Sequence, residues 1–116
     1  MRAIRSDPIL MKVLAVIRRR ACERGLRETD VAEEIGVQSW SISRRLKRQA
    51  GRGFWQEVHR QRSRVAACLL QDSILSVKEI AAKCGYERAS DMNEHFRKCY
   101  GMTPREWRRL ATIWQP

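Results

Sequence analysis

The sequence predicts an all-α fold of seven helices, arranged as two helix-turn-helix subdomains joined by a long linker helix. Three observations lead to this prediction. Apolar residues recur at helical spacing along most of the chain, a two-helix pattern occurs twice, and no strand candidate is longer than three residues. We expect residues 1–52 and 73–116 to form the subdomains and residues 53–72 the linker. Subdomains of roughly 50 residues bury little apolar surface, so they should share that helix.

The duplication is visible as two copies of one pattern. The stretch VAEEIGVQSWSISRRLKRQAGRGF begins at Val31, and its counterpart IAAKCGYERASDMNEHFRKCYGMTP begins 49 positions later at Ile80. Each copy contains a short helix, a turn at a glycine (Gly36 or Gly85), a second helix and a closing glycine. Two helices joined by a tight glycine-containing turn form a helix-turn-helix unit.

The first two helices follow from their start signals. Asp7 is an N-cap residue and Pro8 suits the first helical position, so helix one should run from there to about Glu23. Its apolar side carries Ile9, Leu10, Val13, Leu14, Val16 and Ile17. Helix two should span Glu28 to Ile35, although Arg27 is a poor cap and Thr29 is an alternative cap that would start the helix later.

Helices three and four follow from their apolar spacing. Helix three is predicted from Ser39 to Ala50, with Ile42 and Leu46 on its core face. Helix four is the linker, predicted from about Phe54 to about Gln71. Its apolar positions are Phe54, Val58, Val65, Ala66, Leu69 and Leu70.

The last three helices belong to the second copy. Ser76 and Glu79 form a capping box at the start of helix five, which should span Val77 to Cys84. Helix six, from Ala89 to Tyr100, turns Met92, Phe96 and Tyr100 to the core. Thr103 to Glu106 is another capping box, so helix seven should run from Pro104 to Ile113 with Trp107 in the core.

The charge balance indicates a polyanionic partner. The 116 residues include 24 Lys and Arg against 13 Asp and Glu, a net charge of +11. From Gln38 to Arg64 eight basic residues face Glu57 alone, whereas helix two is acidic. Such clustering favours a docking face over uniform solvation, and nucleic acid over a membrane. Arg18, Arg19 and Arg20 are more typical of a solvated face.

The cysteines and the apolar segments argue against other classes. No apolar run approaches 18 residues and no cleavage site follows the N-terminal segment, so we expect neither a membrane span nor a signal peptide, and a cytoplasmic protein. Cys22, Cys68, Cys84 and Cys99 fall at apolar positions of predicted helices and should be buried, inert thiols. His95 and Cys99 form only half a metal site. We predict no metal, cofactor or catalytic residue.

The length of the linker has a geometric consequence. About 17 residues at ~1.5 Å each make a rod of about 26 Å. With a subdomain at each end, the second helices of the two units could lie roughly 34 Å apart, which is one turn of B-DNA. They would then enter successive major grooves on one face of a duplex.

The chain resembles the AraC family of bacterial transcription regulators from about Leu26 to Leu110. The resemblance rests on the paired AxxxG turns, on SRRLKRQAG at residues 43–51 and on HFRKCYGMTPREWRR at residues 95–109. It implies a DNA-binding regulator of the short, stand-alone type, without enzymatic activity. It also implies a monomer that binds double-stranded DNA and activates transcription by touching RNA polymerase.

The second helix of each unit should carry the DNA contacts on the side opposite its core face. The resemblance implies base contacts at the positions Trp40, Ser43, Arg44, Lys47, Ser90, Asn93, Glu94 and Arg97. Backbone contacts are expected from helix starts and flanking basic residues, namely Gln38, Ser39, Arg45, Arg48, Arg52, Arg88, Lys98 and Arg105.

Four of these residues have distinct expected roles. Arg44 can donate two bonds to guanine and Asn93 can pair with adenine, while Trp40 could press on a thymine methyl. Trp40 lies off the core face and should be exposed. Glu94 departs from the family, whose members often have a basic residue there. Either it accepts a bond from cytosine, or the second unit is held shallowly and adds little specificity.

Two other classes of function remain as alternatives. The chain could be a protein-interaction module that binds RNA polymerase or another regulator and uses DNA weakly, an interpretation that the poor cap at Arg27 and the unusual Glu94 allow. An enzyme resembling DNA-repair methyl acceptors would need a reactive cysteine. The four cysteines have no glycine-rich or metal-ligand context, which disfavours that class.

Overall fold

The structure, a computed structural model, describes residues 7–114, and the side chains of residues 7–113. Residues 1–6, at the start of the segment considered as a signal peptide, lie outside the described residues. The helices are α1 (Pro8–Arg20), α2 (Glu28–Ile35), α3 (Ser39–Ala50), α4 (Phe54–Asp72), α5 (Val77–Lys83), α6 (Ala89–Tyr100) and α7 (Pro104–Trp114). These bounds confirm the predicted all-α fold.

The N-terminal helix is shorter than predicted. α1 ends at Arg20 instead of about Glu23, because the chain turns there: the Glu23 amide donates to the Arg20 carbonyl at 2.9 Å, and Gly25 has a φ of +78°. A left-handed residue cannot continue an α-helix, and glycine adopts that conformation without steric cost. The turn brings residues 21–25 against the second half of the chain.

The capping predictions are confirmed at three helices, including Asp7 at the start of α1, and corrected at a fourth. Ser76 and Glu79 exchange side-chain-to-backbone bonds of 2.9 and 3.1 Å, and Thr103 and Glu106 do the same at 2.8 and 3.2 Å. The alternative cap in the first unit, Thr29, is wrong. There the Asp30 carboxylate accepts from the Arg27 amide at 2.8 Å, so the helix starts at Glu28 without a side-chain cap from Arg27.

The apolar core consists of two clusters, and α4 contributes to both. Phe54 and Val58 pack with buried residues of α1, α2 and α3. Ala66 and Leu70 pack with buried residues of α5 and α6, including Phe96. The first half of α4 therefore packs against the first unit and positions α3, and the second half packs against the second unit and positions α6. We call the units lobe 1 (residues 7–52) and lobe 2 (residues 73–114).

The prediction that all cysteines are buried is wrong. Cys84 is buried and Cys22 is half-buried, but Cys68 and Cys99 are exposed. Cys68 follows the buried Ala67 and Cys99 precedes the half-buried Tyr100, so both thiols lie at the edge of an apolar stripe, where periodicity alone does not separate buried from exposed residues. Within residues 7–114 no helix is long and apolar enough to cross a membrane.

Candidate nucleic-acid interface

The outward face of α3 combines one large aromatic ring with basic side chains. Ile42 and Leu46 are fully buried, which turns the opposite side of the helix to solvent. Trp40 is 63% exposed, which confirms its predicted exposure, and Arg44 and Lys47 are exposed beside it. An exposed tryptophan among cations is suited to a partner that offers both apolar surface and negative charge.

Ser43 on the same face is engaged inside lobe 1. Its side chain is half-buried, and its Oγ donates a hydrogen bond to the carboxylate of Glu28 on α2. This bond crosses the helix-turn-helix and fixes the rotation of α3 relative to α2. A base contact by Ser43 would have to share or replace it.

The outward face of α6 lines an open cavity of about 590 Å³. Met92 and Phe96 are fully buried, and Ser90 and Arg97 are exposed on the other side. The cavity is bordered by Ser90, Asn93, Glu94, Arg97, Lys98 and Gly101. Asn93 is half-buried, and its Oδ1 is buried without a hydrogen-bond partner among the described residues. A partner outside the chain therefore reaches this oxygen only if the Asn93 side chain rotates outward.

Glu94 is paired with a neighbouring predicted contact residue. Its carboxylate lies 3.4 Å from the Lys98 ammonium one turn later, and both side chains are well exposed. An exposed pair of this kind contributes little to stability, so the two side chains can separate when a partner binds.

The predicted backbone-contacting residues fall into two groups. Exposed members are Gln38, Arg48, Arg88, Lys98 and Arg105, while Ser39, Arg45 and Arg52 are half-buried. Arg45 donates to Asp7 at 2.7 Å and to Ser41 at 3.1 Å, and Arg52 donates to the buried Glu57 at 2.5 Å. Arg45 therefore makes structural contacts within lobe 1, and Arg52 makes one to Glu57 of α4.

One arginine counted toward the docking charge is not on the surface. Arg62 is only 5% exposed, and it donates to the carbonyls of Ala21 at 2.6 Å and Glu23 at 3.1 Å. The interpretation of every basic residue from Gln38 to Arg64 as part of a docking face is therefore wrong at this position. A helical basic run does not reveal which of its members turns inward.

The structure brings together aromatic residues that the sequence did not connect. His59 of α4 stacks on His95 of α6 with ring centroids 3.5 Å apart, and its Nδ1 lies 2.7 Å from the Tyr86 hydroxyl. Burial, and then the nearby His95, lower the pKa of His59 to about 4. His59 and His95 line a second cavity of about 500 Å³ between α4 and α6, with Trp55, Arg60 and Lys98. Since these residues lie up to 43 positions apart in sequence, only the fold could reveal the cluster.

Comparison with known proteins finds a helix-turn-helix family and a related regulatory protein. A family model described as a helix-turn-helix domain matches residues 31–110. The xylose operon regulatory protein of Escherichia coli K12 is 29% identical over 103 residues, which are 89% of this chain and 26% of that protein. The chain thus spans about a quarter of the length of this curated relative.

Two solved structures are similar over nearly the whole chain. One is the C-terminal domain of AraT, a response regulator from Geobacillus stearothermophilus, with 29% identity, a TM-score of 0.82 and coverage of 90% of this chain and 86% of that one. The other is the DNA-binding domain of AdpA, solved with a target DNA, with 26% identity, a TM-score of 0.81 and coverage of 95% and 97%. The chain belongs to the helix-turn-helix domain family and is a DNA-binding domain of the AraC type.

Proposed function

We propose that this protein regulates transcription by binding double-stranded DNA at a specific bipartite site, with α3 and α6 in successive major grooves. The observation that supports this most directly is the duplicated outward face. Both second helices bury two core residues and turn polar and basic side chains outward, on a chain with a net charge of +11. The structure of the related AdpA domain with its target DNA supports the same kind of partner.

Each face would read bases through different side chains. Arg44 donates two bonds to guanine O6 and N7, and Trp40 packs on a thymine methyl. Asn93, on the outward side of α6, pairs with adenine once its half-buried side chain rotates to bring the buried Oδ1 to the surface. Gln38, Arg48, Arg88 and Arg105, all exposed, bind the flanking phosphates.

The dimensions of the molecule agree with this arrangement. Its principal extents are 43 × 30 × 20 Å, and the longest one accommodates two recognition helices roughly 34 Å apart. In this proposal residues 1–52 and 73–116 each act as a DNA-binding unit on the linker at residues 53–72. One chain then covers both half-sites, so the protein acts as a monomer and its site need not be palindromic.

The biological setting follows from the family. We infer that the protein works in the cytoplasm, associated with the nucleoid when it is bound to DNA. It would mostly activate transcription by touching RNA polymerase beside the promoter, as its family resemblance implies.

Selection from a library of random duplexes tests the proposal. The expected result is an enriched motif with two conserved blocks centred about 10 base pairs apart, recovered in the presence of excess nonspecific DNA. Arg44→Ala should erase one position of the first block only. Loss of binding in the presence of competitor, with no enriched motif, would contradict the proposal and favour a protein-interaction module.

A further inference from the structure

One buried side chain of α4 touches both lobes. Arg62 lies in the middle of the helix, donates to the carbonyls of Ala21 and Glu23 at the end of lobe 1's first helix, and places its guanidinium carbon 4.9 Å from the ring centroid of Tyr86 in lobe 2. The lobes are therefore held together by direct contacts as well as by the continuous helix between them.

The chemistry of this contact explains how the buried Arg62 is stabilised by carbonyl acceptors and an aromatic ring. Ala21 is the C-cap residue of α1, so its carbonyl is among those that the helix leaves without an intrahelical partner. The negative end of the helix dipole favours a cation at this place. Arg62 thus satisfies one acceptor at the end of α1 and another in the turn that follows, and its guanidinium lies over the Tyr86 ring.

Gly85 brings lobe 2 into contact with the same place. A Cβ at Gly85 would lie 2.8 Å from the Cys22 carbonyl oxygen and 3.1 Å from the Arg62 guanidinium. Its counterpart in the first copy, Gly36, has a similar φ (+85° against +94°) but would meet nothing within 4 Å. The two turns share their backbone conformation, but only the second is packed against the other lobe.

Further contacts extend this packing to α6. The Arg24 side chain of lobe 1 donates to the Tyr86 carbonyl at 3.3 Å. The Tyr86 hydroxyl is bonded to His59, and His59 stacks on His95 of α6. We call the set Cys22, Arg24, Arg62, Gly85 and Tyr86 the interlobe junction.

We propose that the interlobe junction fixes the distance and the angle between α3 and α6, and so makes the spacing of the two half-sites a determinant of specificity. This rests on the proposed function. Sliding one lobe past the other would separate the buried Arg62 from its carbonyl acceptors, which is costly for a charged group. One added base pair moves a half-site by about 3.4 Å and turns it by about 35°, so a rigid pair of probes rejects it.

The DNA test compares matched glycine variants on a series of duplexes. Each duplex carries the two selected half-sites. In one duplex they have the preferred spacing, and in the others the spacing is one or two base pairs longer or shorter. For the wild type we expect at least tenfold weaker binding when one base pair is added or removed. Gly85→Ala should reduce that preference by about tenfold, because the new methyl group forces the lobes apart. Gly36→Ala bears the same left-handed backbone strain without the clash, and it should keep the wild-type profile.

A second readout does not depend on DNA. Residual dipolar couplings report whether both lobes share one alignment tensor, as a single rigid body does. We expect one tensor for the wild type and for Gly36→Ala, and two for Gly85→Ala. Should Gly85→Ala fail to fold, Arg24→Ala removes an exposed tie without a clash and should weaken the spacing preference in the same direction, with Arg18→Ala as its charge-matched control.

The outcomes separate this proposal from the proposed function. Two tensors in the wild type, or spacing profiles that are the same for Gly85→Ala and Gly36→Ala, would overturn the role of the junction while leaving DNA binding intact. Absence of any bipartite DNA binding by a wild type with one tensor would overturn the proposed function, and the spacing role with it. A flat wild-type spacing series would also overturn the spacing role.

Discussion

Asp7 and Arg45 join the start of α1 to the first recognition helix through an ion pair of 2.7 Å. The same Asp7 oxygen accepts from the Gln49 amide at 2.6 Å, and its other oxygen caps α1 by accepting from the Leu10 amide at 3.0 Å. One carboxylate thus caps the start of α1 and holds α3 at two positions one turn apart. The orientation of α3 depends in part on a residue outside the helix-turn-helix.

Replacing Asp7 with Asn should destabilise the protein. Asparagine is also a good N-cap residue, so the variant removes mainly the charge that holds Arg45. We expect a loss of about 1 to 2 kcal/mol in the free energy of unfolding, measured by urea denaturation. Asp72→Asn, at the exposed end of α4, is the control and should be nearly neutral. Equal stabilities of the two variants would contradict a structural role for the pair.

The same carboxylate predicts a pH dependence. The bond from the Leu10 amide, followed by those from Gln49 and Arg45, lowers the pKa of Asp7 below its ordinary value of 3.8. A lowered pKa in the folded state means that the contribution to stability is present above pH 3.8 and is lost as the pH falls through the folded value. Asp7→Asn should therefore lose less stability than the wild type in that acidic range. If the free energies of unfolding of the wild type and of Asp7→Asn fell in parallel with pH, this role of Asp7 would be contradicted.

The His59 cluster predicts a second pH effect at milder acidity. Because burial and His95 lower the pKa of His59 to about 4, from 6.5, the unfolded chain binds more protons between these values. The contribution of neutral His59 to the free energy of unfolding should be fully present above pH 6.5. It should decline as the pH falls toward 4, by on the order of 1 to 2 kcal/mol after discounting for solvent screening. His59→Gln should flatten this decline in a series of thermal melts. A wild type equally stable at pH 7 and pH 4.5 would contradict the prediction.

Arg44→Ala should lose specificity at one base pair. The side chain is exposed on the outward face of α3 and can make a bidentate contact to guanine. We expect a loss of roughly 1–3 kcal/mol of discrimination at a single position, measured by competition binding with all four bases there. Arg18→Ala, which removes the same charge from an exposed site on α1, should leave the discrimination unchanged. An equal loss on every sequence would mean that Arg44 contacts only phosphate.

Glu94→Gln should strengthen binding to nonspecific DNA. The variant removes a negative charge from the outward face of α6 and releases Lys98 from its 3.4 Å pair. If Glu94 also reads a cytosine, the variant should lose preference at that position, and if α6 is held shallowly the base preferences should not change. Electrophoretic titrations with specific and random duplexes measure both effects. Weaker binding to random DNA would contradict the electrostatic argument.

The docking face predicts a strong salt dependence. If about six phosphates are neutralised, the logarithm of the affinity should fall with the logarithm of the salt concentration at a slope of about −5. Arg48→Ala should reduce the magnitude of that slope by about one, because Arg48 is exposed beside α3. A flat response would show that the basic residues are merely solvated.

Much of the architecture is determined by local chemistry that can be read along the chain. The bounds of α2, α3 and α6 agree with their prediction, and each of these helices ends at a glycine in the left-handed conformation, a signal that acts within a few positions of the helix end. The core faces of α3 and α6 follow from the spacing of Ile42 with Leu46 and of Met92 with Phe96, since helical periodicity alone brings such pairs to one side.

The tertiary structure alone decided which polar side chains pair across the fold. Sequence patterns count Arg62 with the exposed basic residues, but the turn after α1 brings two carbonyls to it and buries it. Likewise Ser43 is tied to Glu28, and His59 meets His95, through contacts between residues 15 and 36 positions apart. Helix caps and periodicity are short-range effects encoded residue by residue. Burial of a charge depends on which distant acceptors the packed helices supply, and that is settled only when the two lobes close on α4.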